Sequence, residues 1–151
     1  MGEVQNGFRS DRRAEDNVFV LNGTIGRMKK DGRRMYVAFL DVEKAYDRVK
    51  RDILYSVLER LGMSEKIVSI VRSLYRETRA IYTLGNIRTD WMYSQRGVRQ
   101  KCVQSPLLFG LYTEELAVRM RSIHAGVNVD EQRLQMLMYA DDIAQMNCRE
   151  C

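Results

Sequence analysis

Apolar residues recur along this chain at two alternating periods, and the switches between them mark its elements. In AEDNVFVLNGTIGRMKK, Val18, Leu21, Ile25 and Met28 fall at spacings of three, four and three, the stripe of an amphipathic helix that Asp31-Gly32 then ends. The preceding residues 1–13 are polar and glycine-containing, an irregular lead-in. MYVAFLDV, Met35 to Val42, is dense in aromatic and β-branched residues and predicts a buried strand ending at an aspartate. Asp52 opens a helix with Ile53, Leu54, Val57, Leu58 and Leu61 on one stripe and Gly62 at its C-terminal cap. Ser64 caps another, carrying Ile67, Val68, Ile70, Val71 and Leu74. Arg79 to Leu84 and Ile87 to Tyr93 predict two strands about the turn Gly85-Asn86. Ser105-Pro106 is a helix start, with Ser as N-cap and Pro at the first helical position, and the helix is expected to reach about Ser122. Arg133 to Tyr139 and Ile143 to Met146 bracket Ala140-Asp141-Asp142, a hairpin with both carboxylates at its tip. Helices mixed with antiparallel strands, without strict alternation, point to an α+β fold.

Length allows one domain with a real core, since the chain has 151 residues, and a 45% hydrophobic content excludes disorder of the whole. MGEVQNGFRS has neither a basic nor an apolar region, so it is no signal peptide, and no apolar run approaches a membrane span. A soluble intracellular protein with no membrane partner is expected, in nucleus or cytoplasm. Cys102, Cys148 and Cys151 form no disulfide framework and suit a reducing compartment. Cys148 and Cys151 make a C-x-x-C, but the only other soft ligands are Cys102 and His124, so incidental thiols are the better reading.

Charge changes the picture more. Lys+Arg stand to Asp+Glu as 13 to 10 over residues 1–60, 10 to 5 over 61–122 and 2 to 5 over 123–151. A basic middle and an acidic end fit a polyanion-handling surface beside a cation site. The acidic end holds Asp141 and Asp142 inside the apolar stretch LMYADDIAQM. Buried charge is costly unless it is paired or binds a metal. A hairpin tip lets the pair reach a cation, and Asp41, at the end of its own strand, is a third carboxylate that could converge there. Because successive strand residues point to opposite faces, Asp141 is expected to be the firmer ligand. Hard divalent ions take one or two carboxylates plus substrate phosphates, and two such ions can serve an in-line phosphoryl displacement.

Four blocks then carry a family resemblance. QNGFRSDRRAEDNVF from Gln5, YVAFLDVEKAYDRV (Tyr36 to Val49), GVRQKCVQSPLLF (Gly97 to Phe109) and YADD (Tyr139 to Asp142) stand in order across nearly the whole chain. The chain resembles the reverse transcriptase family, most closely the type of non-LTR (LINE-like) retrotransposons. The resemblance implies a polymerase palm, an antiparallel sheet with packed helices, plus part of the fingers, with the thumb missing. It implies one partial domain over 1–151, fingers-derived over 1–34 and palm with interleaved fingers and palm helices over 35–151. It further implies RNA-directed DNA polymerase activity on an RNA template, a DNA primer and dNTPs with two Mg²⁺ or Mn²⁺ ions; protein partners stay unspecified. Asp41 and Asp141 would be the main ligands, Asp142 the third acidic member, and the Val42 carbonyl a further oxygen. Tyr46 would be the aromatic under the incoming sugar that selects against a 2′-hydroxyl; without the family it reads as a core aromatic. Arg9 and Arg12 match fingers residues near the triphosphate, or else are solvated charge. Gln100, Ser105 and Pro106 match the segment that positions the template–nucleotide pair, and Arg99 and Tyr139 would contact template or primer. Arg72, Arg76, Arg79, Arg88 and Arg96 offer further salt-sensitive backbone contacts.

Three positions depart from the family pattern. Lys101 and Asp11 stand where it carries glycine, and Gln104 where it carries leucine. An alternative function is therefore a catalytically inactive palm remnant, at most a weak nucleic-acid-binding module. A palm-like nucleotide cyclase is a third reading, against which the four ordered blocks argue.

Overall fold

The computed structural model describes residues 5–123, 125–130 and 132–148. His124 and Cys151, and with Cys151 the C-x-x-C, lie outside the described residues. In chain order the elements are α1 (Ala14–Lys30), β1 (Met35–Leu40), α2 (Ala45–Arg48), α3 (Arg51–Arg60), α4 (Glu65–Tyr75), β2 (Arg79–Ala80), β3 (Thr83–Leu84), β4 (Ile87–Arg88) and β5 (Met92–Tyr93). They continue with α5 (Ser105–Arg121), β6 (Val127–Val129), β7 (Gln132–Leu134), β8 (Met136–Tyr139) and β9 (Asp142–Cys148). This is the expected mixture of helices and antiparallel strands. No helix among the described residues is long and apolar enough to cross a membrane. Cα packing divides the chain into two units, residues 1–43 with 113–151, and residues 44–112.

In the first unit β1, β9 and β8 form an antiparallel sheet in that order. The register sets Phe39 opposite Ala144 and Ala144 opposite Leu137, while Leu40, Ile143 and Met138 align one step along. Since the pleat alternates faces, these are two different sides of the sheet. One side joins Leu137, Met146 and Cys148 to Met28 of α1 and to Val127, with Leu21 and Val37 at the margin. The other sets Met136, Met138 and Ile143 against Ala117 of α5. Burying a side chain such as Met138 or Met146 contributes about 2 kcal/mol. α1 is oriented for its dipole, with Glu15 and Asp16 in the first turn and Arg27, Lys29 and Lys30 in the last.

The second unit closes on Leu54 and Leu58 of α3, Val68, Val71 and Tyr75 of α4, and Val98, Leu108 and Phe109. Gly62 does end α3 as predicted. It sits at φ +78°, and the Met63 N–H reaches back to the Leu58 carbonyl at 3.1 Å. Ser64 precedes α4 in extended backbone, but its hydroxyl caps no amide.

Two details differ from the expected elements. The strands predicted over 79–93 are four two-residue pieces, β2 with β5 and β3 with β4. Between them the Thr89 hydroxyl, not a carbonyl, accepts the Tyr82 N–H at 3.0 Å, so the ladder is interrupted there. The strand predicted over 133–139 is split at Gln135, β7 pairing with β6 and β8 with β9.

Candidate active site

Asp41 follows directly from β1. Leu40 pairs with Ile143, so the next residue on each strand brings Asp41 level with Asp142, the first residue of β9. Both line one cavity of about 330 Å³, together with Phe39, Tyr139 and the α1 residues Val18 and Leu21. Asp141 holds the turn position before Asp142 and is not among the lining residues. Asp142 is thus the hairpin carboxylate that shares this cavity with Asp41. The register decides this, because Asp142 shares the pleat face of Tyr139 and Ala144. Among the described residues no ion pair or hydrogen bond engages the carboxylates of Asp41, Asp141 or Asp142. No group of three His, Cys, Asp or Glu side chains is close enough to hold a metal ion among the described residues. Two solvent-reached carboxylates without a competing cation fit a hard divalent ion that completes its shell with water and substrate oxygens. Val42, one residue past Asp41, is exposed.

The N-terminal block docks onto the hairpin turn. Ala140, between Tyr139 and Asp141, is left-handed at φ +56°. Gln5, buried at 1% exposure, accepts the Ala140 N–H at 3.0 Å and donates to the Ala140 carbonyl at 3.1 Å. In the sequence this block is marked by its arginines, and nothing marks the glutamine. Arg9 is half-buried and donates to the Gln5 carbonyl at 3.4 Å, while Arg12 is exposed.

The remaining expected site residues lie in the second unit. The Tyr46 ring stacks on Phe109 with centroids 4.8 Å apart and planes 11° from parallel. Gln100 is exposed and donates to both carboxylate oxygens of Asp47 at 3.2 Å. Ser105 is fully buried, its hydroxyl 3.4 Å from that of Tyr75, and Pro106 is half-buried beside it. Arg99 is exposed and donates to the Leu74 carbonyl at 3.1 Å. Cys102 precedes α5, and the Gln104 backbone N–H, opposed by desolvation and aided by Ser105 and Arg99, holds its thiol below the usual range.

Arg51 carries a role that nothing in the sequence signalled. Its buried guanidinium donates at 2.9 Å to the carbonyls of Gly97, Tyr75, Ser94 and Arg96, tying the 94–97 loop to α3 and α4. Burial pushes its pKa down.

A sheet whose first strand ends in one aspartate and whose neighbouring hairpin carries two, backed by helices, defines the palm class of polymerase folds. The structure of apo telomerase from Candida tropicalis, truncated from its C-terminal domain, shares this fold. Its TM-score is 0.67 over 97% of this chain and 30% of that chain, at 13% identity. The chain belongs to the reverse transcriptase (RNA-dependent DNA polymerase) family, whose profile matches residues 1–150. Proteins of transposable elements are among its relatives. The Pol polyprotein of the type-1 retrotransposable element R2 of Nasonia vitripennis is 26% identical over 85% of this chain and 12% of that protein. An R2 polyprotein of Popillia japonica is 30% identical over 84% of this chain and 18% of its own length. A transposon TX1 protein of Xenopus laevis is 27% identical over 85% of this chain and 10% of that protein. The chain therefore spans between a tenth and a fifth of these relatives.

Proposed function

We propose that this chain carries the catalytic palm of a retrotransposon RNA-directed DNA polymerase, adding deoxynucleotides to a primer 3′ end along an RNA template. The observation that carries the reading is the meeting of Asp41 and Asp142 at one cavity, with Asp141 beside them. These carboxylates, with the Val42 carbonyl, are the residues to hold two Mg²⁺ or Mn²⁺ ions. Bound there, the ions would supply charge stabilisation for the attacking 3′-hydroxyl and the departing pyrophosphate. The residues of the chain itself orient and select. Tyr46, held by its stack on Phe109, offers a flat wall against a deoxyribose. Arg9 and Arg12 supply forked donors for the triphosphate. Gln100, Ser105 and Pro106 shape the floor of the nascent pair, and Arg99 and Tyr139 touch template or primer. Residues 1–34 are assigned to the fingers and 35–151 to the palm with its interleaved helices.

Primer extension on an RNA template with dNTPs and Mg²⁺ or Mn²⁺ tests this. Incorporation should fall by about a hundredfold or more in Asp41→Asn and in Asp142→Asn. Incorporation that neither substitution changes would sink the reading. A specific observation favours a second one, nucleic-acid binding without catalysis. Lys101 and Asp11, which stand where the family carries glycine, both adopt φ +60°. RNA binding with no incorporation, even in Lys101→Gly, would decide for this second reading.

A further inference from the structure

The sheet alone does not hold the turn that carries Asp141 and Asp142. Both backbone polar groups of Ala140 are closed by one side chain, the Gln5 carboxamide, at 3.0 and 3.1 Å. That carboxamide is itself fixed. Its oxygen also accepts the Gly7 N–H at 2.9 Å, and its nitrogen lies 3.4 Å from the Thr113 hydroxyl. The backbone around it is pinned to β8. Gln5 bridges Met138 in parallel, and the Met138 carbonyl takes the Asn6 N–H at 2.9 Å and the Asn17 amide at 3.1 Å. Gly7 permits this approach, since a Cβ there would collide with the Ala140 backbone nitrogen. The left-handed conformation of Ala140 is unfavourable for an L-residue. The two hydrogen bonds from the Gln5 carboxamide offset that cost. Asp142 is paired with Tyr139 in the sheet, so the peptide these bonds restrain is the one joining Ala140 to Asp141, the turn on which the aim of both carboxylates depends.

We propose that Gln5 is a positioning residue for the carboxylate centre. Its carboxamide clamps Ala140 in the left-handed conformation and so fixes where Asp141 and Asp142 point. The inference rests on the cation-binding reading above and deepens it. Groups that orient metal ligands from behind typically change affinity 10- to 100-fold when removed.

The experiment measures Mn²⁺ affinity, circular dichroism and amide exchange at Ala140 on the 151-residue chain. It compares the wild type with Gln5→Ala, Gln5→Glu and Asp142→Asn. Gln5→Glu is near-isosteric and, when ionised, keeps the acceptor for the Ala140 N–H while losing the donor for its carbonyl. The expected result is Mn²⁺ binding at least tenfold weaker in a Gln5 variant that remains fully folded, with faster Ala140 exchange in Gln5→Ala. A merely structural glutamine would lower the melting temperature and leave the affinity of the folded protein unchanged; that outcome overturns the proposal. Unchanged Ala140 exchange overturns the clamp itself. Wild-type chain that binds no Mn²⁺ in an Asp142-dependent way overturns the cation reading, and the positioning role with it. Should Gln5→Ala fail to fold, Gln5→Glu carries the affinity test.

Discussion

At Ala140, Lys101 and Asp11 the backbone enters the left-handed region without glycine to ease it. For Ala140 the Gln5 carboxamide answers the cost. Lys101 stands just before Cys102 and α5, and its side chain is exposed. Replacing it with glycine removes the Cβ clash but adds unfolded-state freedom, so Lys101→Gly should stabilise the chain by about 1 kcal/mol in urea unfolding. An unchanged or lowered midpoint would contradict this. Cys102 makes a second residue-scale prediction. Its thiol is depressed in the folded chain, so between the folded and unfolded pKa values the unfolded state binds more protons. The resulting stabilisation is present above the unfolded value and is lost as pH falls through the folded one. Iodoacetamide, reading thiolate, should therefore modify folded Cys102 at lower pH than the same residue in urea. The check is alkylation in a Cys148→Ser, Cys151→Ser background.

Among the elements, α3 does more than pack. Arg51 at its start holds four carbonyls and lies over the Tyr75 ring at 5.1 Å. Arg51→Met would leave those carbonyls unpaired in a buried setting, at a cost of about 3 kcal/mol. Lysine presents a compact ammonium instead of a planar fork, so Arg51→Lys should recover only part of this. Chemical denaturation of both variants checks it, and equal stability of Arg51→Met and wild type would refute the clamp. Gly97, whose carbonyl Arg51 holds, is at φ +84°, and a Cβ there would stand 2.9 Å from the Asp47 Cα. Gln104, an amide where the family carries leucine, opens on an apolar cleft lined by Ile67, Ile70, Leu74 and Leu107. The sequence marks Gln104 through the family pattern, while α4 is legible as an apolar stripe and α5 from its Ser105-Pro106 start.

For the whole molecule, charge is the scale that matters. The net charge of +5 is carried by the middle of the chain, while the carboxylate end is acidic. Binding to single-stranded RNA should weaken steeply between 50 and 200 mM salt, because released counterions supply much of the affinity. Filter binding or fluorescence anisotropy across that range measures the slope, and a salt-independent affinity would exclude a backbone-contact surface.

The amino-acid sequence by itself determined the α+β class, the long helices, the strand that ends in Asp41, the hairpin of Asp141 and Asp142, and the family. Each of these rests on a local period or on motifs that stand contiguous in the chain. Tertiary structure alone decided which hairpin aspartate shares a cavity with Asp41, because that depends on the register between β1 and β9, which no local pattern encodes. It also decided that Gln5 meets Ala140 across 135 positions and that Arg51 gathers carbonyls from two separate segments, the end of α4 and the 94–97 loop. Such contacts join a side chain to distant backbone groups, and every residue type but proline carries the same N–H and carbonyl. The sequence therefore holds no mark of them until the chain is folded.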